Sequence, residues 1–156
     1  MHVSQQQIVA LARGWIGTRF RHQGRLKQCA AHRGGVDCLG LLIGVADEAR
    51  LTFAGQFASA LDDTQYGHFP DAGRLRAALS HYLQSKTLDR LQPADVLLLR
   101  VDGRAQHLAL ASEYPGGGLA MIHAYAPARA VVEHRLDKDW LSRVEAVFAL
   151  ASAESV

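Results

Sequence analysis

The chain has 156 residues, 49% of them apolar and 21% charged, with 17 Lys and Arg against 15 Asp and Glu for a formal charge of +2. This is a globular composition sized for a single domain over residues 1–156 with a real core, and it excludes a disordered chain. The basic residues are scattered, with a mild excess from Arg13 to Arg33, so the charge gives no argument for nucleic-acid binding.

No apolar run is long enough to span a bilayer, so membrane insertion is not expected. Residues 1–7 carry no basic n-region and no signal-peptide core, so the expected location at synthesis is the cytoplasm.

Ser4 is placed to cap a helix from Gln5 to about Ile16, with Ile8, Val9 and Ala12 on its apolar face. Arg19 to Gly35 is polar, rich in Arg, His and Gly and without a period, and is expected to be a long ordered loop of functional interest. Asp37 is a good N-cap, and Leu41, Leu42, Val45 and Ala49 recur at helical spacing after it, which predicts a helix from Cys38 to about Arg50. Leu51 to Pro70 is less readable, with turn residues at Asp62-Asp63 and Gly67. Ala72 to Gln84 is expected to be helical.

The second half predicts consecutive antiparallel strands. Pro93-Ala94-Asp95 leads into a buried strand, Val96 to Leu99, and Asp102-Gly103 is a hairpin-turn signal. Strands follow over 106–112, 119–124 and 130–136, and then Asp137 caps a short turn holding Trp140. Val144 to Ala151 closes as the last strand. Helices first and a meander second predict an α+β fold.

The residue types point to nucleophilic chemistry. Cys38 falls in the first turn of its helix, where free N–H groups and the dipole favour a thiolate. A Cys nucleophile needs a base, and the base needs an orienting group. His107 and His123 lie on neighbouring predicted strands, and a hairpin between those strands puts them on one face. The expected triad is Cys38 as nucleophile, His107 as base and His123 as orienting residue. The other reading of Cys38 is a small buried hydrophobe, and of each histidine a structural or exposed side chain. His2, His68, His81 and His134 are expected to be surface or loop residues, and Trp15 and Trp140 core or rim packing.

The order and spacing of these segments resemble the NlpC/p60-type cell-wall cysteine peptidases. Asp37-Cys38-Leu39-Gly40 is similar to their Asp-Cys-Ser-Gly signature, and Pro93-Ala94-Asp95-Val96-Leu97 to their Gly-Asp-Leu strand start. His107-Leu108-Ala109-Leu110 resembles their His-Val-Gly-Ile strand, and Met121-Ile122-His123-Ala124 the segment with the third catalytic residue. The resemblance runs from about Gln5 to Arg143. Gly17-Thr18 and Arg21-His22-Gln23-Gly24, with Ile122-His123-Ala124-Tyr125, look closest to the phage and prophage tail branch.

The resemblance implies a papain-like α+β fold, N-terminal helices on an antiparallel sheet of five or six strands, and no cofactor. It implies hydrolysis of an amide in peptidoglycan stem peptides, commonly after γ-linked D-glutamate, with Cys38, His107 and His123 in the roles above. The Cys38 backbone N–H would serve the oxyanion. Phage tail proteins are the other expected partners, with the virion tail acting at the bacterial wall as a second location.

The chain departs from the family pattern in three places. Phe20 stands where the family often has a Tyr hydroxyl, Leu39 replaces a small Ser, and Leu26 to Arg33 looks like an insertion before the Cys. Phe20, Arg21, His22 and Asp37 are the expected substrate-contacting residues, and Arg19, Arg21, Arg25 and Arg33 offer charges for stem-peptide carboxylates.

Other readings remain open. The chain is a catalytically weak or inactive tail-assembly module of the same fold, or it cleaves another amide or thioester. A Cys29–Cys38 disulfide would consume the nucleophile. A zinc site from Cys29, His32, Cys38 and His107 lacks a second Cys/His pair at finger spacing.

Overall fold

The structure is a computed structural model that describes residues 2–61 and 71–156. The expected turns at Asp62-Asp63 and Gly67, and His68, lie outside the described residues. Helix α1 (Gln5–Arg13) starts at a reciprocal cap: the Ser4 hydroxyl accepts from the Gln7 N–H, and the Gln7 side chain accepts from the Ser4 N–H. It buries Ile8, Val9 and Ala12 and ends short of Ile16, in a series of tight turns over 14–17.

Residues 19–35 are more regular than their composition predicts. Strands β1 (Arg25–Leu26) and β2 (Gly35–Val36) pair antiparallel, and Cys29 and His32 pair further out toward the tip. Two-residue strands are too short to show an alternation, so this hairpin has no sequence pattern to announce it.

Three helices follow. Asp37 caps α2 (Cys38–Glu48) by accepting from the Gly40 N–H. Helix α3 (Ala54–Leu61) buries Ala54, Phe57 and Leu61, a helical spacing in a segment not predicted as an element. Asp71 caps α4 (Ala72–Tyr82). The chain then turns into a short strand β3 (Gln84–Lys86), which the expected helix end at Gln84 overlaps. β3 is polar and pairs on one side only, so no apolar alternation marks it.

The remaining elements are β4 (Asp95–Val101), β5 (Arg104–Glu113), β6 (Leu119–Tyr125), β7 (Ala130–Arg135), α5 (Lys138–Ser142) and β8 (Val144–Ala149). They complete a six-stranded antiparallel sheet of order β3-β8-β4-β5-β6-β7. β4 is interior, which explains its continuous apolar run: Val96 to Leu99 are all fully buried, alternating between two cores. Asp102 (φ 54°) and Gly103 (φ 78°) turn β4 into β5 as a two-residue hairpin needs.

Each sheet face has its own core. Helices α1 to α4 pack into the cluster that holds Val96, Leu98, Leu108, Leu110, Ile122 and Phe148. The opposite face gathers Leu97, Leu99, Ala109, Met121 and Val147, with Trp140 of α5 against it. The fold is thus α+β, with five α-helices among the described residues packed on a six-stranded antiparallel sheet.

Trp15 joins α1 to α2. Its ring lies directly on Gly44, its Nε1–H donates to Glu48 at 2.5 Å, and the Lys27 ammonium sits 5.6 Å above it. A methyl group on Gly44 would run into the ring. Ala is favoured over Gly inside a helix by about 1 kcal/mol, but overpacking costs about 1–3 kcal/mol. Gly44→Ala is therefore expected to lower the urea midpoint despite its better helix propensity, and a raised midpoint would show that Trp15 yields freely.

Candidate active site

Cys38 is the first residue of α2, and its place is fixed by the Asp37 side chain. Asp37 is buried, and Oδ1 accepts from the Gly40 N–H at 2.8 Å and from Arg25 Nη1 at 2.8 Å. Oδ2 accepts from the Gln23 N–H at 3.0 Å. One carboxylate thus ties together the helix start, strand β1 and the turn before it. The Gly24 carbonyl then lies so close to Gly40 that no Cβ fits there, which explains a glycine two residues after the cysteine.

Cys38 is buried, with 6% of its surface exposed, and its Sγ–H donates to the Gln106 carbonyl at 3.9 Å. His107 follows directly on β5, and Cys38 and His107 line one cavity of about 640 Å³. Phe20, Asp37, Tyr125 and the β4–β5 turn line it too.

The His107 ring is bonded through Nε2 to His123 Nδ1 at 2.7 Å, which leaves Nδ1 as its open nitrogen. Sheet register explains the pairing. Leu110 faces Ile122, so continuing that register sets His107 and His123 as diagonal neighbours on one face.

The row continues one strand further. His123 Nε2 lies 2.8 Å from His134 Nε2, and His134 Nδ1 lies 3.0 Å from the Arg135 carbonyl. His134 is therefore not a surface or loop residue: it is half-buried on β7, joined to His123. Its register partner is Met121, two residues before His123, so it too is a diagonal neighbour. The signal was present in the alternation of Val132 and His134, but choosing the correct face required the β6–β7 register. Tyr125 stacks on His123 (4.9 Å, 22°), and Trp140 closes over His123 edge-on (5.2 Å, 80°). Trp140 thus packs on the histidine row, while Trp15 is core.

Burial decides the charge state of these groups. It pushes the Cys38 thiol up to about 12, with the Asp37 charge adding to the effect. The backbone N–H groups of Leu108 and Leu39, and Arg25, pull the other way but lose. The thiolate expected from the helix start is thus not the resting form, because desolvation outweighs the dipole. Burial likewise lowers His107 to about 4. It lowers His123 to about 2, with His107 and His134 as further causes. The resting pair is a thiol beside a neutral imidazole.

The other expected contact residues are divided between two places. Phe20 and Asp37 line the cavity with Cys38, whereas Arg21 and His22 line a neighbouring depression of about 460 Å³ with Arg19, Arg25 and Arg33. Arg19 Nε–H donates to the Gly34 carbonyl at 2.6 Å, and Arg25 pairs with Asp37. The segment 26–33 belongs to the β1–β2 hairpin that walls this depression and does not line the Cys38 cavity.

Cys29 and Cys38 are both free thiols, and Cys29 is exposed, with Sγ 3.3 Å from His32 Nε2. Among the described residues, no group of three or more His, Cys, Asp or Glu is arranged to hold a metal ion. Among them also, no helix is long and apolar enough to cross a membrane.

No family model and no curated protein matches the chain by sequence. Solved structures match its fold. The NlpC/p60 domain of the peptidoglycan hydrolase SagA is 22% identical with a TM-score of 0.60, over 94% of this chain and 99% of that one. An NlpC/p60 family protein from Bacillus cereus ATCC 10987 is 16% identical with a TM-score of 0.64, over 97% of this chain but 41% of that one. The peptidoglycan hydrolase RipB from Mycobacterium tuberculosis is 18% identical with a TM-score of 0.53, over 95% of this chain and 65% of that one. The chain has the fold of these domains.

The charge states predict two behaviours. At about pH 8, iodoacetamide is expected to label exposed Cys29 well before Cys38, and Cys38 labelling should keep rising at higher pH. Peptide mass spectrometry reads the order, and faster labelling of Cys38 would reveal a thiolate that burial has not suppressed.

The histidines make the fold acid-sensitive. Below the ordinary value of 6.5, the unfolded chain takes up protons that folded His107 and His123 refuse. Stability is therefore expected to fall from about pH 6.5 downward, through 4 for His107 and on towards 2 for His123. Urea midpoints across this range should drop less steeply in His107→Asn, and an identical slope would refute the assignment.

Proposed function

Starting from the NlpC/p60 fold, we propose that this chain is a cysteine peptidase that hydrolyses an amide bond in peptidoglycan stem peptides. The observation that carries the reading is one cavity shared by Cys38, at a helix N-terminus, and His107, whose far nitrogen is bonded to His123 at 2.7 Å. A nucleophile, a base with one open nitrogen and a group orienting that base are the parts acyl transfer requires.

Because the resting pair is neutral, proton transfer accompanies attack. The Cys38 Sγ–H proton passes to His107 Nδ1 as the C–S bond forms. The carbonyl oxygen takes the charge at the Cys38 backbone N–H. The imidazolium at His107 then protonates the departing amine as the C–N bond breaks. Water, losing its proton to His107, hydrolyses the thioester and restores the thiol.

Phe20 gives the cleft an apolar wall where the family often has a hydroxyl. Asp37 holds the Cys38 turn, and in the adjoining depression Arg21 supplies charge and His22 a hydrogen-bonding ring for stem-peptide carboxylates. The bond after γ-linked D-glutamate is the proposed scissile bond, and delivery by a phage tail the proposed setting. Both rest on the motif resemblance at residues 17–24, 37–40 and 122–125. The chain spans 41% and 65% of two of the longer proteins it resembles, so further parts of such proteins lie outside this comparison.

The raised thiol and the near-complete burial of Cys38 favour one second reading, a module of the same fold with little or no activity. Digestion of purified peptidoglycan separates the two. The unaltered protein is expected to release muropeptides that Cys38→Ala does not, and His107→Ala should lose about 10²- to 10⁴-fold in rate. Identical muropeptide profiles from the unaltered protein and Cys38→Ala would overturn the hydrolase reading.

A further inference from the structure

The histidine row is anchored at one end on a group with a fixed role. The Arg135 carbonyl only accepts, so His134 Nδ1, 3.0 Å away, carries a proton. In neutral His134 the Nε2 is then a bare acceptor, and His123 Nε2, at 2.8 Å, must donate to it. That leaves His123 Nδ1 as an acceptor, and His107 Nε2, at 2.7 Å, must donate in turn. Each step leaves one tautomer, and the last puts the free lone pair of His107 on Nδ1.

We infer that His134 is a positioning residue: bonded to the Arg135 carbonyl, it sets the tautomers of His123 and His107 so that His107 presents Nδ1 as the base. This rests on the reading of His107 as base given above and adds a fourth residue to the site beside Cys38, His107 and His123.

The surroundings keep other partners out. His123 is fully buried, with Tyr125 stacked on one side and Trp140 edge-on to it, and Trp140 also covers His134 at 5.4 Å. Loss of His134 therefore leaves the His123 Nε2–H without an acceptor. The cheapest escape for a buried imidazole is to move its proton to Nδ1. His107 then accepts at Nε2 and carries its own proton on Nδ1, which blocks the base.

The charged and titratable groups around His134 are few. His123 faces it from β6, and Arg143 of the segment after α5 lies over the Trp140 ring. On its own strand, Glu133 is turned to Arg13 and Ser112, and Arg135 to the Tyr114 ring.

Nitrogen-15 NMR of histidine-labelled protein tests the tautomers without any substrate. At neutral pH the expected forms are Nε2–H for His107, Nε2–H for His123 and Nδ1–H for His134; the opposite form at any of the three overturns the inference. Two variants test the consequence. His134→Gln keeps an acceptor for His123 and is expected to hold kcat within about threefold, with His123 still in its Nε2–H form.

His134→Leu removes the acceptor and is expected to cost about 10- to 100-fold in kcat with little change in KM, with His123 shifted to Nδ1–H. A folded His134→Leu protein with unchanged His123 tautomer and kcat would overturn it. Should the protein cut no peptidoglycan, the NMR arm still decides this inference, so the two failures are distinguishable.

Discussion

The carboxylate of Asp37 ties three parts of the chain together at the cysteine. It caps α2, pairs with the Arg25 guanidinium of β1 and accepts from the Gln23 N–H in the turn before β1. With only 5% of its surface exposed, such a charge survives burial because it is hydrogen-bonded, with two backbone N–H groups and a cation among its partners. The position of Cys38, one residue on, follows from that knot. So does the shape of the cavity wall, because Phe20 sits just before the same turn and bonds through its N–H to the Arg129 carbonyl. The same charge also acts against the thiol, since it helps hold the Cys38 proton on sulfur.

The second constraint is the register of the sheet. Three histidines from three adjacent strands meet only because each is offset by two residues from the cross-strand partner of the next. A slip of one residue in either pairing would turn a histidine to the opposite face. The strands that carry them are fixed by apolar residues on both sides, Leu108 and Leu110 toward the helices and Ala109 and Met121 toward α5. A rigid double-cored sheet thus holds polar groups inside it, and each ring of the row bonds to its neighbour, which is the condition for burying them.

Burial also sets the chemical character of the site. The helix start supplies N–H groups and a favourable dipole, worth about 0.3–1 kcal/mol at an exposed terminus. Desolvation of a nearly enclosed thiol works against this and is the larger effect here. The outcome is a neutral thiol and a neutral imidazole in a cavity with an apolar wall, so the proposed chemistry starts from a proton transfer rather than from separated charges.

Much of the architecture was legible in the sequence because it depends on local patterns. The Asp37 cap, the 3.6-residue repeat after Cys38, the unbroken apolar run of β4 and the Asp102-Gly103 turn each have a physical meaning within a few residues. Their order predicted helices packed on an antiparallel sheet, and the fold has that form. The β1–β2 hairpin, α3 and β3 were not legible, since two- and three-residue strands and an eight-residue helix carry too little signal of their own.

For the site, the sequence identified Cys38, His107 and His123 as chemically apt residues, and the meander placed two of them on neighbouring strands. Only the tertiary structure decided that His134 joins them, that Arg21 and His22 face a different depression from Phe20, and that Cys38 rests as a thiol. Those three facts depend on cross-strand register, on which wall of a hairpin faces the cavity, and on how much water reaches a sulfur atom. Each is a property of distant segments brought together.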